Sequence, residues 1–276
     1  MHASNMMLNP LKQTHIEKIP TLKAHKITLN LEDAIAPSRK KEALLNIAKI
    51  LKNSTTPKDK IIVRVNPLNS GGKEEIEFLN SFDFNAVRVS KVRDIKEIKS
   101  ALSLIKESIE LHISLETKEA FYNIREWRIS ERFTTANLGI LDLLNSFGLP
   151  QSLLQINNPT IDYILSKFLL DCKSVGLLPV SFMYQDYNNI KEFTKWCEKE
   201  HLMGFESKAC MGPKQVEVAN KIFGISEYEL VRAKEIKESF ESSSKKGENG
   251  FMHPKYGFID EPIYKDALLV LDSFNR

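Results

Sequence analysis

A chain of 276 residues in which 39 Lys and Arg face 36 Asp and Glu carries a formal charge of only +3 at pH 7. That balance argues against a nucleic-acid surface or an anionic membrane as partner. The length admits one large α/β barrel or two smaller domains. The three cysteines, Cys172, Cys197 and Cys210, lack metal-ligand spacing and read as reduced core thiols. His15, His25, His112, His201 and His253 form no i,i+4 pair and no cluster with cysteine, so zinc is unsupported. With no signal-peptide pattern and no apolar run long enough to span a bilayer, the expectation is a soluble, cytoplasmic protein.

Taken in chain order, a first strand is possible near Met6 to Leu8. "KITLNL" (26–31), "IIVRVN" (61–66), "AVRVS" (86–90), "LHISL" (111–115), "FTTANL" (133–138) and "GLLPVSF" (176–182) follow as strand candidates. Amphipathic helices lie between them. After Asp94, Ile95, Ile98, Leu102, Ile105 and Ile109 recur every three or four residues, and Ile161, Ile164, Leu165, Phe168, Leu169, Cys172 and Val175 do so later. A last strand is expected near Leu202 to Glu206, which brings the count to about eight strand–helix units and predicts a closed (β/α)8 TIM barrel. An open doubly wound sheet is disfavoured because no Gly-x-Gly-x-x-Gly turn follows a strand, and "NSGG" (69–72) lacks the spacing. From Ser226 the pattern changes to a charged helix, a hydrophilic stretch "SSSKKGENG" (242–250) read as a mobile loop, and a closing amphipathic helix. The expected organisation is a barrel over residues 1–225 and a C-terminal helical extension over 226–276, packed on the barrel or on a neighbouring subunit.

The polar residues at strand ends carry the chemistry. Glu32 and Asp33 follow the second strand, Arg64 lies within the third, and Lys91 follows the fourth. Glu116 follows the fifth, Asp142 comes after the sixth, and Lys208 after the eighth. In a parallel barrel these ends share one rim, where acids and cations hold a metal and an anionic substrate. Local readings compete: Glu32, Asp33, Glu116 and Asp142 would all suit a helix N-terminus, and Lys91 and Lys208 would suit a solvated surface. Arg64, inside an apolar run, needs an anion, either a ligand or a buried carboxylate such as Glu32 or Asp33. Carboxylates without histidine or thiolate partners favour a hard cation, and Mg²⁺ completes its octahedron with water and substrate oxygens.

The chain resembles the HpcH/HpaI aldolase and citrate lyase β-subunit (CitE-like) family. "LNLEDAIAPSRKKEA" is similar to the family's LDLEDAV stretch, "VRVNPLNS" to its VRVN strand and "VRVSKV" to its PKV strand. "SLETKEAFYN" is similar to its Glu-bearing strand, "LGILDLLNSFGLPQS" to its Gly-x-x-Asp-Leu segment, "MGFESKACMGPKQVEVANKIFG" to its LGF-x-GK-x-x-IHP-x-Q-V segment, and "GFIDEPIYKDAL" to its IDxP element. The resemblance implies a (β/α)8 barrel that makes or breaks carbon–carbon bonds in acids and acyl-CoA thioesters with Mg²⁺. It assigns the metal to Glu116 and Asp142 and substrate binding to Arg64; Lys91 and Lys208, from their places at strand ends, are expected as further substrate-binding cations. Glu32 and Asp33 would organise the pocket. Asp260 would match an aspartate that reaches a neighbouring subunit's active site, in a homo-oligomer expected to be a trimer or hexamer. Four departures stand out: Ala3 replaces an arginine, Asn30 an aspartate, Ser181 an aspartate, and Met211 to Pro213 the IHP loop.

The expected function is therefore an Mg²⁺-dependent carbon–carbon lyase or aldolase acting on a small 2-oxo or hydroxy acid or its CoA thioester. Two alternatives stay open: a catalytically eroded barrel that binds or assembles, and another enolate-forming activity of the kind found in phosphoenolpyruvate-utilising barrels.

Overall fold

The computed structural model describes residues 3–275. They form two compact units, one over Ala3–Phe223 and one from Gly224 onward. The first holds strands β1 (Ser4–Leu8), β2 (Lys26–Asn30), β3 (Ile61–Val65), β4 (Ala86–Val89), β5 (Glu110–Leu115), β6 (Phe133–Leu138), β7 (Leu178–Val180) and β8 (Lys208–Cys210). Its helices are α1 (Gln13–Ile16), α2 (Lys40–Asn53), α3 (Lys73–Leu79), α4 (Ile95–Leu104), α5 (Lys118–Trp127), α6 (Ile140–Ser146), α7 (Pro159–Ser174), α8 (Ile190–Met203) and α9 (Pro213–Phe223).

The eight strands make one parallel sheet in the order β7-β6-β5-β4-β3-β2-β1-β8. A single parallel bridge between Ser181 and Lys208 joins its two ends, with Ser181 N–H donating to the Ser207 carbonyl at 2.9 Å and Ala209 N–H to the Ser181 carbonyl at 3.1 Å. The sheet thus closes into a nearly complete TIM-type barrel, and every strand's C-terminal end opens on one face.

Strand alternation separates two environments. On β5, Leu111, Ile113 and Leu115 are fully buried in the apolar layer beneath the helices, while His112, Ser114 and then Glu116 form the other, polar series. Tightly filled apolar layers are usual inside such barrels. Here the interior instead holds a hydrogen-bonded network: Thr28 Oγ1 donates to Asn5 Oδ1 at 2.7 Å and Arg88 Nε to Ser114 Oγ at 2.7 Å. Buried polar groups persist only when paired in this way.

Two expected boundaries move. The apolar run at Leu202 is the last turn of α8, which ends at Met203 with Gly204 in the left-handed cap conformation (φ 102°) that glycine adopts at low cost. The eighth strand therefore starts later, at Lys208. Helix α4 stops at Leu104, since Ile105 is extended, although Ile105 and Ile109 keep the helical spacing and are buried as connector residues. All three cysteines are free and buried.

The C-terminal unit contains α10 (Glu227–Ser244), an antiparallel hairpin of β9 (Gly250–His253) and β10 (Gly257–Asp260), and α11 (Glu261–Asn275). Ser226 and Glu229 cap α10 reciprocally, and Ala233, Ile236, Phe240, Ile259 and Ala267 make a small core of its own. Of the stretch 242–250, expected as a loop, residues 245–249 are the connector between the last turn of α10 and the start of β9. No helix among the described residues is long and apolar enough to cross a membrane.

Candidate active site

A cavity of about 410 Å³ opens at the C-terminal end of the barrel, where Asp33, Arg64, Glu116 and Asp142 meet, with Asn30, Arg88 and Asn137 beneath them. The strand ends explain why. After β2 the chain turns tightly: Glu32 N–H donates to Asn30 Oδ1 at 3.1 Å and Asp33 N–H to Glu32 Oε2 at 2.6 Å. Glu32 is thereby sent inward (2 % exposed), while the Asp33 side chain stays 57 % exposed. The two adjacent carboxylates thus do different work.

Arg64 is held on three sides. Its Nε donates to Asn30 Oδ1 at 2.7 Å, Nη2 lies 3.1 Å from Glu32 Oε2, and Nη1 lies 3.8 Å from Glu116 Oε1. Asn30, where the family pattern has aspartate, is thus an orienting acceptor for Arg64. The competing reading of Arg64 as half of a buried ion pair with Glu32 is what the structure shows.

Lys91 takes a left-handed backbone (φ 53°), uncommon for a residue with a side chain. That turn presents its N–H to Glu116 Oε2 at 3.1 Å and its ammonium to Glu32 Oε1 at 2.8 Å and Asp33 Oδ1 at 3.1 Å. Burial pulls the Lys91 ammonium down, but the hydrogen bonds and attraction of Glu32 and Asp33 outweigh it and raise its pKa. For Asp33 burial pushes its carboxyl up, and its contact with the Glu32 side chain, the Lys91 hydrogen bonds, and the attraction of Lys91 and Arg64 bring it below the usual range. This cluster backs the cavity wall that Asp33 and Arg64 line directly.

Glu116 and Asp142 form the other wall. Burial pushes the Glu116 carboxyl up; Arg64 and Arg88 oppose that rise, and Glu32 and Asp142 add to it. A buried carboxylate whose pKa is raised in part by a neighbouring acid suits a cation held beside both. Glu116 also fits a notch left by Gly139. A Cβ built there would lie 2.2 Å from Glu116 Cγ and 2.8 Å from its Oε1, so only glycine leaves the carboxylate in place. Asp142, in the first turn of α6, has no hydrogen bond or ion pair among the described residues. Those residues contain no group of three or more His, Cys, Asp or Glu side chains able to hold a metal. A pair of oxygen donors, with further positions open to water and ligand, fits Mg²⁺ better than zinc or copper.

One of the expected site residues, Lys208, does not line the cavity. Lys208 is fully buried on the outer side of β8, its Nζ 2.6 Å from Glu200 Oε1 of α8 and 3.6 Å from the Phe182 ring centre. Its neighbour Ala209 lines the cavity instead, as strand alternation requires. Asp260 belongs to the C-terminal unit, where its Oδ1 accepts from Ile263 N–H at 3.3 Å at the start of α11. Ala3 immediately precedes β1 and does not itself line the cavity.

The sequence reading passed over Arg88, which lines the cavity from β4 and is 5 % exposed. The signal was available, since Arg88 interrupts an apolar strand just as Arg64 does. Lys12, Asn137, Phe182 and Gln185 also line the cavity. They come from loops and strand ends whose convergence no local spacing announces.

Residues 4–213 match the HpcH/HpaI aldolase/citrate lyase family profile. A (3S)-malyl-CoA thioesterase of Cereibacter sphaeroides strain KD131 is 26% identical over 238 residues, 86% of this chain and 82% of that protein. An L-malyl-CoA/beta-methylmalyl-CoA lyase of Cereibacter sphaeroides strain ATCC 17025 is 22% identical and spans 92% of this chain and 89% of its own. Among solved structures, a citrate lyase from Burkholderia xenovorans LB400 shares the fold with a TM-score of 0.84 at 12% identity, covering 100% of this chain and 92% of that one. CitE from Mycobacterium tuberculosis, solved with magnesium, acetoacetate and coenzyme A, superposes with a TM-score of 0.73 at 17% identity over 99% of this chain and 98% of that one. With the profile covering most of the barrel and its motifs converging on one cavity, the chain belongs to the HpcH/HpaI aldolase/citrate lyase family.

Proposed function

We propose that this protein is an Mg²⁺-dependent carbon–carbon lyase acting on a small 2-oxo or hydroxy acid or its CoA thioester. The observation that carries the reading is the buried Glu116 carboxylate beside Asp142, which has no hydrogen bond or ion pair among the described residues, facing a cavity flanked by the fixed guanidinium of Arg64. When bound there, a divalent cation would polarise the substrate's oxygens and stabilise enolate charge. The chain's own residues do the rest. Arg64, held by Asn30, Glu32 and Glu116, points a pre-oriented cation at the charge that develops when a carbon–carbon bond breaks. Lys91 fixes Glu32 and Asp33 and, through its N–H, one oxygen of Glu116, so the carboxylates need no reorganisation on binding. The apolar side chains Leu138, Ile140 and Phe182 narrow the cavity and limit water.

The relatives include both a lyase and a thioesterase of malyl-CoA, and the product separates these activities. Incubation of the protein with Mg²⁺ and a hydroxyacyl-CoA such as malyl-CoA is expected to yield a 2-oxo acid and a shorter CoA thioester, without free thiol. Stoichiometric thiol release would assign hydrolysis instead. Tight binding with no product under any metal condition would assign the non-catalytic reading.

A further inference from the structure

Two buried arginines reach the cavity, and they are in different electrostatic situations. Arg64 is neutralised by Glu32 and Glu116. Arg88 makes no ion pair among the described residues: Nε donates to Ser114 Oγ at 2.7 Å and Nη1 to Asn137 Oδ1 at 3.2 Å, both neutral acceptors. Its Nη2 has no hydrogen-bond partner among those residues, although the side chain lines the cavity. Burial, then repulsion from Arg64, lowers the Arg88 pKa to about 9 against the non-contact attraction of Glu116 and Glu32, which still leaves it charged at neutral pH. A buried guanidinium with no carboxylate in contact is costly, and Arg88 faces the cavity.

We infer that Arg88 is the receptor for a second carboxylate of the substrate, and so selects acids that carry one in addition to the group bound at Glu116 and Asp142. This rests on the proposed function. The planar fork of Arg88, fixed by Ser114 and Asn137, suits a carboxylate geometrically. The charge balance agrees. Of the groups lining the cavity or paired with its lining, Glu32, Asp33, Glu116 and Asp142 are matched one for one by Lys12, Arg64, Arg88 and Lys91. A divalent cation would leave an excess of two positive charges, which a doubly charged acid cancels and a singly charged one does not. The assignment also separates the roles of the two arginines, with Arg64 serving the reacting end and Arg88 the recognition end.

Malate and 2-hydroxybutyrate test this directly, because they share a 2-hydroxy acid end and chain length and differ in the second carboxylate. Calorimetric titration of each into the Mg²⁺-loaded protein is expected to show malate binding at least about tenfold more tightly. Arg88→Met is expected to shrink that preference to less than about twofold. Arg88→Lys, which keeps the charge but not the fork, is expected to keep part of it, and it decides the matter if the methionine variant does not fold, as judged by circular dichroism. Equal affinities in the wild type, or a preference that survives both substitutions, would overturn the role of Arg88 and leave the metal-site reading standing. Binding of neither acid to the Mg²⁺-loaded protein would overturn the role of Arg88, and failure of the protein to bind Mg²⁺ would overturn the metal-site reading.

Discussion

Gly139 shows how one residue without a side chain places a charged one. Its φ of −95° is open to any residue, so its value is purely steric. A methyl group would overlap the Glu116 side chain, and a displaced Glu116 would lose the Lys91 N–H and the approach of Arg64. Gly139→Ala is expected to weaken divalent-cation binding by about 10- to 100-fold, with the barrel still folded. Metal titration with circular dichroism checks it, and unchanged affinity would mean that Glu116 is not a ligand. At this scale the sequence was legible where a charge interrupts an apolar strand, as at Arg64, and where acids end a strand, as at Glu32 and Glu116. It was silent on orientation. Asn30 as a holder of Arg64, and the inward turn of Glu32 against the outward Asp33, depend on hydrogen bonds that local spacing does not encode.

At the scale of elements, β8 and α8 carry the main difference between expectation and structure. A strand was expected where the helix's last apolar turn lies, because a short apolar run reads alike in both until its cap is recognised. Gly204 is that cap. The shift decides a functional question, since it places Lys208 on the helix side and Ala209 on the cavity side. Burial raises the Glu200 pKa, and the attraction and hydrogen bond of Lys208 oppose the rise. Removing one member of such a buried pair strands the other. Glu200→Gln is expected to destabilise the fold by about 3–5 kcal/mol, measured by chemical denaturation. A loss below about 1 kcal/mol would show that Lys208 finds other stabilisation there.

For the whole molecule, the alternation of strands and helices and the absence of a dinucleotide fingerprint were enough to reach an eight-stranded parallel barrel, because each strand–helix unit declares itself locally. The hairpin of β9 and β10 was not legible, since its strands are short and half polar and its turn, "HPKYG" (253–257), is unlike the two-residue hairpin turns. The site sits between these cases: its members were found one by one, and barrel closure made them neighbours. The central claim is that Glu116 and Asp142 together bind a divalent cation at that junction. Calorimetric titration of Mg²⁺ into the wild type, Glu116→Gln and Asp142→Asn tests it most directly. One site per chain, weakened at least about tenfold by either substitution, is the predicted result. No binding, or binding indifferent to both changes, would contradict it.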